Sequence, residues 1–285
     1  MKSVGAYEAD KKGVVALVTL VLTFMSRDYA LMVGDTRICV LDQSGRYSPF
    51  SDDAVKIEHV NGLLVCFAGV ARFARIPTIE WLHKRFAKSV SDLDTALEEL
   101  AKELDGRVER SQYRGHTLTV TIAGWAVDDV DTLTPIVATV TNQEPRTFER
   151  LASFRHAWRI LPTAGGWVAT GQLDPSRDKQ LHQDLSSILQ EPVTPDVLAN
   201  IFLAYLRDEA EHNVTVGRRA KIATLPRSVL INAQEQEKED FIVWKVREPV
   251  IVAEVPMEID VAPSDLQIQL YGLDQLDLSQ AEIVD

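Results

Sequence analysis

The sequence predicts an α+β fold, a four-layer αββα sandwich with a C-terminal extension, and three observations carry the prediction. Strand-like apolar runs come in two groups of four; each group is followed by a pair of helical segments; and the chain returns to strand near residue 220. An element with one apolar face must bury that face, and two antiparallel sheets, each covered outside by a helix pair, bury all of them. The expected domain covers 1–248, of which 1–14 are an N-terminal extension, and 249–285 form a C-terminal extension with an acidic end.

The elements follow in order. Lys11-Lys12 precede the apolar run Gly13–Phe24, which imitates a signal peptide but has no small-residue cleavage site and ends abruptly at Met25-Ser26-Arg27-Asp28. It is too short to span a bilayer, and its valines and threonines favour a buried strand. Strands are expected near Val15–Met25 and Tyr29–Leu41, then near Ala54–His59 and Leu63–Ala68 around Asn61-Gly62, a strong hairpin dipeptide. Pro77 opens a helix carrying Ile79, Trp81, Leu82 and Phe86, and Ser91 is placed to cap a second, with Leu93, Leu97, Leu100, Leu104 and Val108 at helical spacing. Strands resume at Thr117–Val127, Pro135–Thr141, Phe148–Ser153 and Trp167–Gly171. The second helix pair is Arg177–Leu189 and a helix starting at Thr194-Pro195, a cap and first-turn proline, expected to bury Val197, Ile201, Tyr205 and Leu206. Ala220–Leu225 and Phe241–Val246 return to strand.

Composition excludes several classes of function. A net charge of −12 and a pI near 5.0 are the wrong electrostatics for nucleic acid, whose phosphates need concentrated positive charge. The basic run Gly217-Arg218-Arg219-Ala220-Lys221 is a short exception, read as a solvated strand face. Cys39 and Cys66 both lie inside apolar runs, as reduced core thiols of a cytoplasmic protein do. No CxxC, HExxH or clustered His spacing supports a metal, and no cofactor or membrane partner is expected.

The residues that invite chemistry sit at strand edges. Gly34-Asp35-Thr36-Arg37 closes one apolar run, Val55-Lys56-Ile57 opens another, and Phe67-Ala68-Gly69 closes a third. A buried acid and lysine cost free energy unless paired. Asp35 and Lys56 are therefore either a structural ion pair holding strand ends or groups arranged around a reacting atom. Gly69 has a plain alternative as a tight backbone approach, and Thr19 as an ordinary strand threonine. The tryptophans read as core or interface anchors.

In this order and at this spacing, together with Thr215-Val216-Gly217 before the last core strand, these motifs resemble the proteasome-type N-terminal-nucleophile hydrolases, including bacterial proteasome-like subunits. The resemblance covers roughly Val15–Leu225, with a longer interval between Asp35 and Lys56 whose surplus, near Gln43–Asp53, falls at a hairpin. It implies that Thr19, once at a freed chain start, attacks a peptide carbonyl while its own α-amine takes the proton. By the same resemblance Lys56 lowers the hydroxyl's effective pKa, Asp35 orients Lys56, and the Gly69 N–H stabilises the oxyanion. It also implies a homo-oligomer, a ring or stacked assembly, with protein or peptide as substrate.

The sequence departs from the family at several points. Val18, not glycine, precedes Thr19, and the family's supporting serine, acid and serine align with Ala164, Asn213 and Val216. Two functions follow: a non-catalytic or degenerate member serving as scaffold or binding component of an assembly, or a threonine peptidase using Thr19 after autoprocessing. The departures favour the first.

Overall fold

A computed structural model describes residues 19–228, apart from 42–45, 74–75, 88–92, 110–112, 114, 128–132, 145–148, 162–164, 172, 174 and 190–191, and beyond these only 244–245 and 281–284. It is a mixed α+β structure in which most strands are antiparallel. The chain order is β1 (Leu20–Met25), β2 (Tyr29–Asp35), β3 (Ile38–Leu41), β4 (Tyr47–Ser51), β5 (Ile57–Val60), β6 (Leu63–Gly69), β7 (Arg72–Phe73), β8 (Ile76–Pro77), α1 (Thr78–Phe86) and α2 (Leu93–Leu104). There follow β9 (Leu118–Val127), β10 (Leu133–Gln143), β11 (Arg150–Ile160), β12 (Gly166–Gly171), α3 (Pro175–Ile188), α4 (Pro195–His212), β13 (Ala220–Pro226), β14 (Trp244–Lys245) and β15 (Ala281–Val284).

Two large sheets carry most of these strands, while β3-β4 and β7-β8 form separate two-stranded pairs. One runs β12-β1-β2-β13-β15 and the other β11-β10-β9-β6-β5, with β14 pairing β9. β1 and β2 are buried along their whole length, which is why their sequences are continuous apolar runs rather than alternating ones. Opposite faces of β1 serve different clusters: Val21 and Met25 meet Ile57, Cys66, Ala123 and Trp125 of the other sheet, whereas Leu20, Leu22 and Phe24 meet Leu181 and Leu185 of α3 and Phe202 and Leu206 of α4. A third cluster joins the far face of the second sheet (Val65, Phe67, Val120, Ile122) to Trp81 and Leu82 of α1 and Leu97 and Leu100 of α2. The Asn61-Gly62 turn has positive φ at both residues, 48° and 77°, as a two-residue hairpin of this kind requires. Among the described residues no helix is long and apolar enough to cross a membrane.

The structure corrects four details. The run expected as one strand over Tyr29–Leu41 breaks after Asp35: the Thr36 N–H still bonds Arg219 O of the β13 side at 3.1 Å, and from Ile38 the chain turns away as β3 to pair with β4. The strand expected at Phe148–Ser153 runs from Arg150 to Ile160. The inward face of α4 is Leu198, Ala199, Phe202, Leu203, Leu206 and Glu209, with Val197 exposed and Ile201 and Tyr205 only partly covered. Thr194 stands at the α4 N-cap without a side-chain capping bond. Val15–Val18 and Ser91 lie outside the described residues, as does most of Phe241–Val246. Ala281–Val284, within the expected extension, pairs in parallel with β13.

Candidate functional site

The site begins with register. β1 and β2 pair antiparallel with Val21 opposite Gly34, so the next step sets Asp35 opposite Leu20 and beside Thr19. Gly34 is small for a reason: a Cβ there would meet Val21 Cγ2 at 2.8 Å and Ile57 Cδ1 at 3.1 Å. Its absence lets the start of β5, with Lys56 immediately before it, close onto the β1–β2 pair. Lys56 O in turn accepts the Phe67 N–H at 3.3 Å, fixing its backbone against β6.

Three of the four residues singled out in the sequence meet here. The Thr19 hydroxyl donates to Asp35 Oδ1 and accepts from Lys56 Nζ, and Lys56 Nζ also donates to Asp35 Oδ2 at 3.0 Å. None is exposed beyond 1%. Asp35 accepts three further bonds, all from backbone N–H groups at 3.0 Å: Leu20 to Oδ1, and Arg37 and Gly217 to Oδ2. A buried carboxylate with so many donors keeps its geometry and holds the lysine in place. Burial pushes the Lys56 ammonium below its ordinary value, against the opposing pull of Asp35. A cation donating to the hydroxyl lowers the hydroxyl's effective pKa and so favours its use as a nucleophile.

Gly69, the fourth residue, ends β6 at φ 117°, packed so closely on Thr117 O and Leu118 that a side chain would overlap them. The plain reading of a tight backbone approach describes its position. It takes no part in the Thr19–Lys56–Asp35 hydrogen-bond set.

Several supporting residues were not assigned roles from sequence. Gly171 ends β12 at φ 111°, and a Cβ there would overlap the Thr19 carbonyl oxygen, so glycine is what lets β12 close on the start of β1. Arg37 ties three segments together: Nε meets Asp52 Oδ1 at 2.6 Å, and one terminal nitrogen donates to Val214 O at 3.1 Å and Val216 O at 3.2 Å. That hydrogen bond holds the Asp52 carboxyl below the usual range. Arg37 and Gly217 both stood in quoted motifs, but partners so far apart in sequence leave no local signal.

Val216 is buried in the apolar cluster with α4, and Asn213 Oδ1 accepts from Thr215 N at 3.1 Å and Oγ1 at 2.5 Å. Val18 and Ala164 lie outside the described residues. Asp208, Glu211 and His212 place possible metal-ligand atoms within 4.8 Å of one another, but all are exposed and Arg177 already holds Asp208 at 2.5 Å.

No protein-family model matches this chain, and no curated protein does. Among solved structures the chain is similar to Anbu (ancestral beta-subunit) from Yersinia bercovieri, at 12% identity and a TM-score of 0.47, covering 73% of this chain and 82% of that one. The site is therefore read from its own geometry.

Proposed function

We propose that this protein is a proteasome-like threonine hydrolase of the N-terminal-nucleophile kind, cleaving amide bonds with the Thr19 hydroxyl. The observation that carries the reading is Lys56 Nζ donating to both Thr19 Oγ1 and Asp35 Oδ2, with all three side chains buried. A strand threonine with a structural role needs no lysine on its hydroxyl. The three apolar clusters support the four-layer αββα sandwich that the resemblance implies, since each cluster lies between two successive layers.

The chemistry balances in two stages. In maturation the Thr19 oxygen bonds to the Val18 carbonyl carbon, the Val18–Thr19 C–N bond breaks, and the hydroxyl proton passes to the departing nitrogen. Water then hydrolyses the ester, releasing a carboxylate at Val18 and a free α-amine on Thr19. In turnover the hydroxyl attacks a peptide carbonyl, its proton passing to that amine; the scissile C–N bond breaks as the proton is handed to the departing amine, and water then hydrolyses the ester, releasing a carboxylic acid and regenerating the hydroxyl. The Gly69 N–H is assigned to the oxyanion. Peptides are the substrates, in the interior of a homo-oligomeric assembly.

A second reading, a non-catalytic scaffold subunit, is favoured by Asn213 and Val216, which supply no polar support to Thr19. Intact mass spectrometry separates the two. The hydrolase reading expects loss of residues 1–18 and hydrolysis of fluorogenic peptides, both abolished by Thr19→Ala. A chain that keeps those residues and cleaves nothing is the scaffold.

A further inference from the structure

β11 is the edge of its sheet: among the described residues it pairs with β10 on one side and with no strand on the other. The Leu161 N–H bonds Pro135 O at 3.0 Å, one step past the pair Ile136–Ile160. Backbone direction alternates along an antiparallel strand, so Arg155, Ala157 and Arg159 also turn their N–H and C=O towards β10. His156, Trp158 and Ile160 turn theirs outward. Phe154 follows the same alternation, since its N–H leaves the sheet for Asp105 Oδ1 at 2.8 Å. One outward donor of this edge thus already holds a carboxylate of the chain itself.

The two faces beside the edge differ in charge. On one, Phe154 and Trp158 pack with Leu97 and Leu100 of α2, Trp158 Nε1 donates to Asp94 Oδ1 at 2.5 Å, and Ile160 is 43% exposed. His156 on this face lies within electrostatic reach of Glu98 of α2. On the other face stand Arg155, Ala157 and Arg159, all exposed, with Arg159 donating to Trp167 O at 3.0 Å. β11 contains no acid, although the whole chain has a net charge of −12.

We propose that the free edge of β11 is a docking site for an acidic extended segment of a partner polypeptide, added antiparallel to the sheet, in which acids alternate with apolar residues. Its backbone pairs with the outward groups of His156, Trp158 and Ile160. Its acids share the face of Arg155 and Arg159, and its apolar residues share the face of Ile160. A second copy paired on this edge about a two-fold axis would set Arg155 and Arg159 of both chains on one face, where like charges oppose pairing. The arginines therefore exclude self-association and select acid. The contact ends at Phe154, whose outward N–H is held by Asp105, so the occupant is a short strand. The site is independent of the chemistry at Thr19.

Fluorescence anisotropy on the full chain tests this with labelled TEVEVEV, its lysine counterpart TKVKVKV, and two forms of TEVEVEV, N-methylated at the valines or at the glutamates. We expect TEVEVEV to bind at least about tenfold more tightly than TKVKVKV, with the preference lost in about 0.5 M salt. Methylated valines lose the N–H groups that face β11 and abolish binding, whereas methylated glutamates keep it. Arg155→Glu/Arg159→Glu reverses the preference, a gain of TKVKVKV binding that an unfolded chain does not give. Hydrogen exchange locates the peptide: bound TEVEVEV slows the amides of 156–160. Equal binding of the acidic and basic peptides, binding of neither, no dependence on which amides are methylated, or protection of another edge overturns the proposal. Protection of 156–160 that rises with protein concentration without peptide assigns the edge to a second copy and also overturns it.

Discussion

Gly217 donates its backbone N–H to Asp35 Oδ2 at 3.0 Å across 182 residues of sequence, so the turn entering β13 supports the carboxylate that ends β2. The glycine sits tightly against Arg37: a Cβ would meet Arg37 Cβ at 2.8 Å and its backbone nitrogen at 3.1 Å. Gly217→Ala must push this turn outward and lengthen the bond to Asp35. We expect a loss of about 1–3 kcal/mol in denaturant unfolding, the usual cost of overpacking, with any hydrolytic activity falling alongside. Wild-type stability in this variant would show that the turn yields freely.

Lys56 and Lys84 form a natural contrast. Lys56 is 1% exposed and paired with a wholly buried Asp35, whereas Lys84 pairs with Glu80 on the exposed face of α1. Lys56→Met leaves a buried carboxylate without its cation and should cost about 3 kcal/mol, towards the low end for a broken buried pair because Asp35 keeps its backbone donors. Lys84→Met should change stability by less than about 0.5 kcal/mol. Urea midpoints of the two variants check the difference. Equal midpoints would mean that the buried pair contributes nothing.

Alkaline stability reports on Cys66. Burial pushes this thiol up from 9.0 to about 12, although Thr170 and other hydrogen-bond partners oppose the shift. Its folded pKa exceeds its unfolded one, so its contribution is complete below pH 9 and is lost as pH rises towards 12. Lys56 shifts downward and has the opposite sign, so that stability gains with pH as the unfolded lysine approaches its ordinary pKa of 10.5. Comparison with Cys66→Ala cancels the lysine. Between pH 9 and 10 the wild type should lose up to about 1.4 kcal/mol more than the variant. Parallel curves would place the thiol in a more polar site.

Asp35 and Lys56 were legible in the sequence because each stands at the edge of an apolar run, whereas Thr19, inside the run Gly13–Phe24, was reached only through the family resemblance, by its position relative to Asp35. What completes the site was not. Gly217, Leu20 and Arg37 serve Asp35 through backbone N–H groups, which any residue offers, and Gly171 matters through the space it leaves beside Thr19. The face of α4 was misread because buried Glu209 counts as polar in a hydrophobic pattern, yet it sits inward, paired with Asn213 and near Arg177. The length of β11 was hidden because Phe154 and Trp158 are its only buried residues, too few to establish a period. Tertiary partners, not local propensity, settle such positions.

The claim that Thr19 is a nucleophile is tested most directly by active-site acylation. The purified protein is treated with a β-lactone, whose strained ester acylates an activated hydroxyl and stays attached, and the adduct is located by peptide mapping. The geometry predicts one acyl group per chain, on Thr19, with labelling slowed about 10²-fold or more in Lys56→Met, because the hydroxyl loses the cation that lowers its effective pKa. No label on Thr19, or a label equally fast without Lys56, would contradict the assignment and leave the Thr19–Lys56–Asp35 set as structure alone.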